Sequence, residues 1–528
     1  MPQPLHTVHV RVNDAATGQP TPVRIRFTDA EGKYYAPFGR LTDISPELGF
    51  EVGGNLLLED KCFAYIDGTC EIQLPSERIL IEAKKGPEYT ALSEEILLGP
   101  GQMAIRLEMK RWNDLRQDRW YPGDTMVAIM SAHAALLEAL AEDIAVVNLL
   151  ANQFLWREKT WCVPNLLAFS GQEPALERAG CMIVINTHNL HPELGSVSLL
   201  NCHRIVYPLR FGEPVGLDNW TVLDWCDQCH RKGGLVVWVP EQLPDYDEEF
   251  ASLHHGELPA DMVLGKIDAL EFNWVWELNS EIVKEYYGFL NLGFRLALVG
   301  GSNKTTNQEL LGSWRTYARL QPGEEFTYKN WIEAVRAGRT FATKGPLLML
   351  TANGQDPGAV INLDSPDQTV HVYAGVRRAF PPDRLELIVN GKAAAEANSA
   401  QVVARSPDRA TGVERSGDRS TTGGLATELE MDIPMPVGGW MAAAYWGCED
   451  SQAGFKLLAH TSPVYVQVPG RQPPPDREAG QNLLKHFDEM LDWVRMQARV
   501  ENEDQRARLA RVFESAKEEV TRRLGQRS

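Results

Sequence analysis

The feature that most restricts the fold of this 528-residue chain is a change of hydrophobic pattern near residue 120. Before it, apolar residues come in short runs that alternate with polar ones. After it, Met126-Val127-Ala128-Ile129 follows a Pro122-Gly123-Asp124 turn signal, Ala134 to Leu140 has helical character, and Ile144 to Leu150 is continuously apolar. An alternating strand can leave one face in water, but a continuous apolar strand needs cover on both faces. The chain must therefore pass from a β-rich module into an α/β region whose helices cover a sheet.

Four blocks follow from that reading. Residues 1–110 carry short strands at 6–12, 23–27, 63–66, 70–74, 79–83 and 103–107, separated by turn signals such as Asp67-Gly68. Residues 111–346 alternate strands (145–149, 181–186, 234–238, 269–272, 295–299) with helices (132–140, 219–232, 280–291), the signature of a parallel sheet or barrel. Residues 347–470 return to strands at 347–352, 369–374, 385–389 and 464–468, with tight turns at Asn353-Gly354 and Asn390-Gly391. Within this block 399–424 has almost no large apolar residues and is expected to be a mobile insertion. In the last block, 471–528, Pro473-Pro474-Pro475 ends the strand pattern. Leu483, Phe487, Met490, Leu491 and Val494, then Leu509, Val512, Phe513, Ala516 and Val520, recur at helical spacing. That is a helical hairpin docked on its own chain or, alternatively, an element for homo-oligomer assembly.

Charge narrows the partners. With 52 basic and 71 acidic residues the net charge is -19, which argues against wrapping nucleic acid. No apolar run approaches the roughly 18 residues of a membrane span, and Met1 to His6 carries no basic-then-apolar leader, so a cytoplasmic location is expected. The eight cysteines are scattered, unlike a disulfide framework.

The segment Trp120-Tyr121-Pro122-Gly123-Asp124-Thr125-Met126-Val127-Ala128, followed by Ala141-Glu142-Asp143, resembles the opening of the PHP (polymerase and histidinol phosphatase) superfamily of metallohydrolases, in its carbamate-hydrolase-like branch of CehA/McbA type. The tract from Phe326-Thr327-Tyr328 through Trp331 to Gly345-Pro346 is similar to that branch as well. The resemblance implies a distorted (β/α)7 barrel at 111–346. The flanking blocks are then two β-sandwiches, the first resembling carboxypeptidase-regulatory or transthyretin-like modules through Asp14, Thr17-Gly18 and Pro22-Val23.

The family shows His-x-His where this chain has Met126 and Ala128, and often Gly-His where it has Gly195-Ser196. Thioether and methyl groups are poor partners for Zn, Mn or Fe. What remains is Glu173, which matches a ligand carboxylate of the family, together with His188 and His191. These three could form a residual site for one divalent metal ion, or the histidines could hydrogen-bond loop backbone. Asp124, Glu142, Lys304 and Arg315 are candidate pocket residues, the two cations as a fixed replacement for metal charge. The resemblance thus implies a metal-dependent hydrolase acting on an ester, carbamate or phosphoester, with a reduced or rearranged site and a small-molecule substrate. The alternative is an inactive PHP-like module kept for binding or assembly. Cys226-Asp227-Gln228-Cys229-His230 has the haem attachment spacing, but it lies in an expected helix running into a buried strand, so no haem is expected. No Gly-x-Ser-x-Gly elbow or phosphate-binding Gly-Lys-Ser/Thr loop occurs.

Overall fold

The computed structural model describes residues 5–44, 52–99, 101–156, 160–240, 252–273, 281–378, 383–398, 425–448 and 455–525. It is a mixed α/β protein built on a large sheet that curls into a half-barrel. Nine strands form the curled part: β1 (Trp120–Ala128), β2 (Val146–Ala151), β3 (Cys181–His191), β4 (Gly195–Leu200), β5 (Leu235–Val239), β6 (Ala269–Phe272), β7 (Ala297–Gly300), β8 (Arg315–Arg319) and β9 (Thr340–Thr343). Their order is 7-6-5-4-3-2-1-8-9. The pairs β1–β2, β2–β3, β5–β6 and β6–β7 are parallel, whereas β4 runs antiparallel to both its neighbours. Strand β8 runs antiparallel to β1 and to β9. Seven strands (β1, β2, β3, β5, β6, β7 and β9) therefore point the same way, and their C-terminal ends share one rim.

The period-2 alternation divides two cores. Val146, Leu150, Met182, Val184, Leu200, Val237, Ala269 and Val299 face inward, and helix α5 (Tyr328–Arg336) packs Trp331, Ile332 and Val335 against them. The outward face is covered by α1 (Ala132–Ala141), α2 (Val222–Arg231), α3 (Leu258–Val263), α4 (Glu281–Asn291) and the hairpin of α6 (Arg477–Met496) and α7 (Glu503–Gly525). All ten apolar positions picked out in the hairpin are buried on the chain's own core. Each of these side chains other than Ala516 contributes about 1.5–3 kcal/mol.

The free edge of β7 does not end in solvent. Leu298 N donates to Ser462 Oγ (2.8 Å) and Gly300 N to Thr316 Oγ1 (2.7 Å), while Thr340 Oγ1 donates to Leu298 O (2.6 Å). Hydroxyls from β8, β9 and the turn after residue 461 replace a backbone ladder, so buried backbone groups stay satisfied where the sheet curls back on itself.

The Pro122-Gly123-Asp124 turn expected from composition is instead the middle of β1, paired with Tyr317 and Thr316 on β8. Gly123 is there for close approach: a Cβ would stand 2.4 Å from Trp331 Cζ2. The expected strand at 181–186 continues to His191 and folds back as β4, because its polar residues find partners inside the sheet. Strands β8 and β9 escaped the sequence reading.

At the N-terminal side two sheets share one core of Val8, Val10, Val12, Val23, Ile25, Ile72 and Ile81. They contact the half-barrel through a buried ion pair, Arg24 Nε to Glu142 Oε1 at 2.9 Å, and through Lys85 Nζ donating to Leu140 O. At the C-terminal side the curled sheet runs on without a break: β9 pairs with Phe455–Thr461, which pairs with Gly439–Cys448. Strands Leu347–Ala352, Thr369–Arg378 and Leu425–Pro434 form a separate sheet, and one core joins Leu347, Val370 and Leu385 to Trp120 and Phe341 of the half-barrel. The sheet thus crosses the boundary at 346 that the pattern suggests. The insertion expected at 399–424 lies outside the described residues. Among them, no helix is long and apolar enough to cross a membrane.

Candidate functional site

The co-directional strand ends bring a polar layer to the rim of the half-barrel, above the apolar plug of α5. Tyr328 OH donates to Asn148 Oδ1 (2.7 Å) and accepts from Asn186 Nδ2 (3.0 Å). Asn148 Nδ2 in turn donates to Asp124 O (3.1 Å). Higher up, His188 Nδ1 lies 3.3 Å from Ser198 Oγ, its direct cross-strand neighbour, and Ser198 Oγ is 3.9 Å from Met126 Sδ. Across from them Thr125 Oγ1 donates to Glu271 Oε2 at 2.5 Å, both groups fully buried. Gly301 makes room for that pair, since a Cβ there would stand 2.4 Å from Glu271 Oε2.

Asp124 joins three segments. Its Oδ1 accepts from Met126 N (3.1 Å) and Ser302 N (3.0 Å), and its Oδ2 from Gly312 N (2.8 Å). Complete burial outweighs these three N–H bonds and pushes its carboxyl up to about 6.

The expected metal set does not assemble. Glu173 is exposed beside the start of β3. His188 and His191 stand three residues apart on one strand, so they face opposite sides of the sheet. His188 points into the polar layer. His191 points into the outer core, where its Nδ1 accepts from Glu193 N and Leu194 N and its Nε2 donates to Asp218 Oδ1 at 3.0 Å. Both its ring nitrogens are occupied, and burial holds the ring neutral by lowering its pKa. The reading that a histidine bonds loop backbone holds for His191.

Met126 and Ala128 are buried apolar strand residues, and Ser196 Oγ donates to Val239 O (3.2 Å). The two candidate cations turn away from the rim. Lys304 Nζ donates to Thr306 O (3.0 Å) and Glu309 O (2.6 Å) and lies 3.4 Å from Glu138 Oε2 on α1. Arg315 donates to Gly312 O (2.8 Å) and Glu142 O (3.0 Å). Glu142 itself belongs to the contact with Arg24 and Tyr65. These residues hold carbonyls and interfaces together, and none supplies free charge to a pocket. Cys229 Sγ packs 3.4 Å from Cys202 Sγ, and burial raises both Cys226 and Cys229 thiols well above the usual range.

The residues that the sequence reading missed are Thr125, Asn148, Asn186, Ser198, Glu271 and Tyr328. One signal was available: Asn148 and Glu271 are single polar residues inside otherwise apolar strands, where a buried polar group needs a partner.

A divalent metal needs converging N or O donors. Asp124, His188 and Glu271 are the nearest to such a set, and each is held in bonds to other protein groups. Among the described residues no group of three His, Cys, Asp or Glu side chains is placed to hold a metal ion. The donor set does not fit the metal centre that the resemblance implies. Compared with protein-family models, curated proteins and solved structures, the chain matches none of them.

Proposed function

We propose that this chain is a PHP-like pseudoenzyme of the cytoplasm: a distorted PHP-type barrel flanked by two β-sandwich modules, kept for binding or assembly and not for metal-dependent hydrolysis. The observation that carries the reading is the polar layer itself. Where the family resemblance would put metal-binding histidines, Met126 and Ala128 are packed as core. The remaining donors are tied to neighbours, Glu271 to Thr125 and His188 to Ser198. A hydrolase of this kind needs converging donors around a metal-activated water, and these contacts commit Glu271 Oε2 and His188 Nδ1 to other protein groups instead.

The test is metal content and turnover of the full chain. After chelation and reloading with Zn, Mn or Fe, elemental analysis is expected to find well under one tightly held ion per chain. Aryl ester, carbamate and phosphomonoester substrates are expected to hydrolyse at the background rate. Stoichiometric metal together with turnover that disappears in Glu271→Gln or His188→Ala would overturn the reading in favour of a hydrolase with a rearranged centre.

A further inference from the structure

A second concave region lies away from the half-barrel rim. A groove of about 1190 Å³ opens between the loop after α4, the hairpin tip at Asn390-Gly391, the segment 465–476 and the last turn of α7. That exceeds the roughly 300–1,000 Å³ of ordinary ligand clefts. Its lining runs against the charge of the chain. In a protein of net charge -19 its described lining residues include Arg295, Lys392, Arg471, Arg522 and Arg523 and a single acid, Asp476.

The state of these charges matters more than their number. Arg522 and Arg523 both bond Glu519, at 2.6–2.7 Å. Asp476 Oδ1 accepts from Ala479 N and so caps α6. Among the described residues, Arg295, Lys392 and Arg471 have no carboxylate partner, and all three are exposed. Arg295 is oriented by the Tyr465 ring, 5.0 Å from guanidinium carbon to ring centroid, which leaves its N–H edges for a ligand. The Pro473-Pro474-Pro475 wall has fixed backbone angles, so part of the groove is already ordered.

We propose that this groove binds a multivalent oxyanion, a small molecule carrying two or more phosphate or carboxylate groups, through Arg295, Lys392 and Arg471. Planar guanidinium forks bond either group in two-pronged fashion, and a concave site strengthens the field of cations that no acid neutralises. The inference does not depend on the half-barrel rim and stands whether or not the rim is catalytic.

The test is calorimetric titration of the full chain with tripolyphosphate and, separately, citrate in low-salt buffer free of divalent cations. At least one probe is expected to bind with a Kd below about 1 mM, weakening at least threefold when salt is raised from 50 to 300 mM. The triple variant Arg295→Gln, Lys392→Gln, Arg471→Gln is expected to lose at least tenfold in affinity. The charge-keeping pair Arg295→Lys, Arg471→Lys keeps the field but loses the two-pronged bonds and should bind more weakly than the parent and more tightly than the triple variant, and unfolding midpoints matching the parent confirm that the variants fold. Preference for tripolyphosphate supports a phosphorylated ligand, and preference for citrate a polycarboxylate. Binding of neither probe, or affinity unchanged in the triple variant, would overturn the proposal.

Discussion

The half-barrel rim and the C-terminal groove are both concave and both polar, yet they treat charge in opposite ways. At the rim, Asp124 accepts three backbone N–H groups and Glu271 is bonded by Thr125, while the nearby Lys304 and Arg315 turn away from it to cap carbonyls. In the groove, Arg295, Lys392 and Arg471 are exposed. The difference is burial. A charge removed from water must be paired or hydrogen-bonded, so these buried carboxylates and cations take partners within the protein, while the neutral Asn186 Oδ1 is left without a hydrogen bond among the described residues. A charge left at the surface costs little while unpaired and remains open to a ligand. Titratable residues in a cleft therefore do not by themselves mark a site; charges left open to a ligand do.

Removing Asp124 should break this contrast most severely. Asp124→Ala strips the acceptor from Met126, Ser302 and Gly312 N–H groups. It is expected to cost about 3–5 kcal/mol in urea unfolding, as for other broken buried networks. A loss under about 1 kcal/mol would mean that water reaches the rim, and the self-satisfied reading would fail.

The next effect lies beneath the groove. His460 is fully buried, with Tyr287 OH at its Nε2 (2.9 Å) and Thr461 O at its Nδ1 (2.7 Å), and Tyr287 packs on Trp440 of the groove lining. Burial pushes its pKa from 6.5 down to about 4. Between those values the unfolded chain binds the proton and the folded chain does not, so stability falls as pH drops through the window. The contribution is about 3 kcal/mol. His254 and His486, also pushed down to about 4 by burial, act in the same sense. His460→Gln should make the decline between pH 6.5 and 4 shallower by about that amount, whatever its stability at neutral pH. An unchanged pH slope would show that the core under the groove is wet.

The smallest effect is also the most discriminating. Arg471→Gln should leave stability within about 0.5 kcal/mol of the parent, because an exposed, unpaired side chain contributes little to folding. A loss above 1 kcal/mol would place Arg471 in the structural class of Lys304 and dissolve the contrast.

Much of the architecture was legible in the residues because it rests on local periodicity. The strand at 269–272 and all ten buried positions of the C-terminal hairpin follow from spacing alone. Spacing failed where the pattern had two explanations. Pro122-Gly123-Asp124 has turn composition, yet long-range packing of Trp331 on Gly123 and pairing with β8 make it strand. The tract 186–191 is polar like a loop, but its side chains are satisfied across the sheet by Tyr328 and Ser198.

The candidate site divides in the same way. By itself the sequence determined that the leading positions hold Met126 and Ala128, which are side-chain chemistries unsuited to hard or borderline divalent ions. It also determined that the tail is amphipathic and the chain acidic. Only the tertiary structure decided that His188 and His191 part company across one strand, that Lys304 and Arg315 turn toward carbonyls, and that three cations without a carboxylate partner among the described residues meet in a groove built from four distant segments. The reason is physical. Side-chain identity and periodicity are local properties, whereas the partner that satisfies a buried charge, or leaves an exposed one open, is set by residues far apart in the chain.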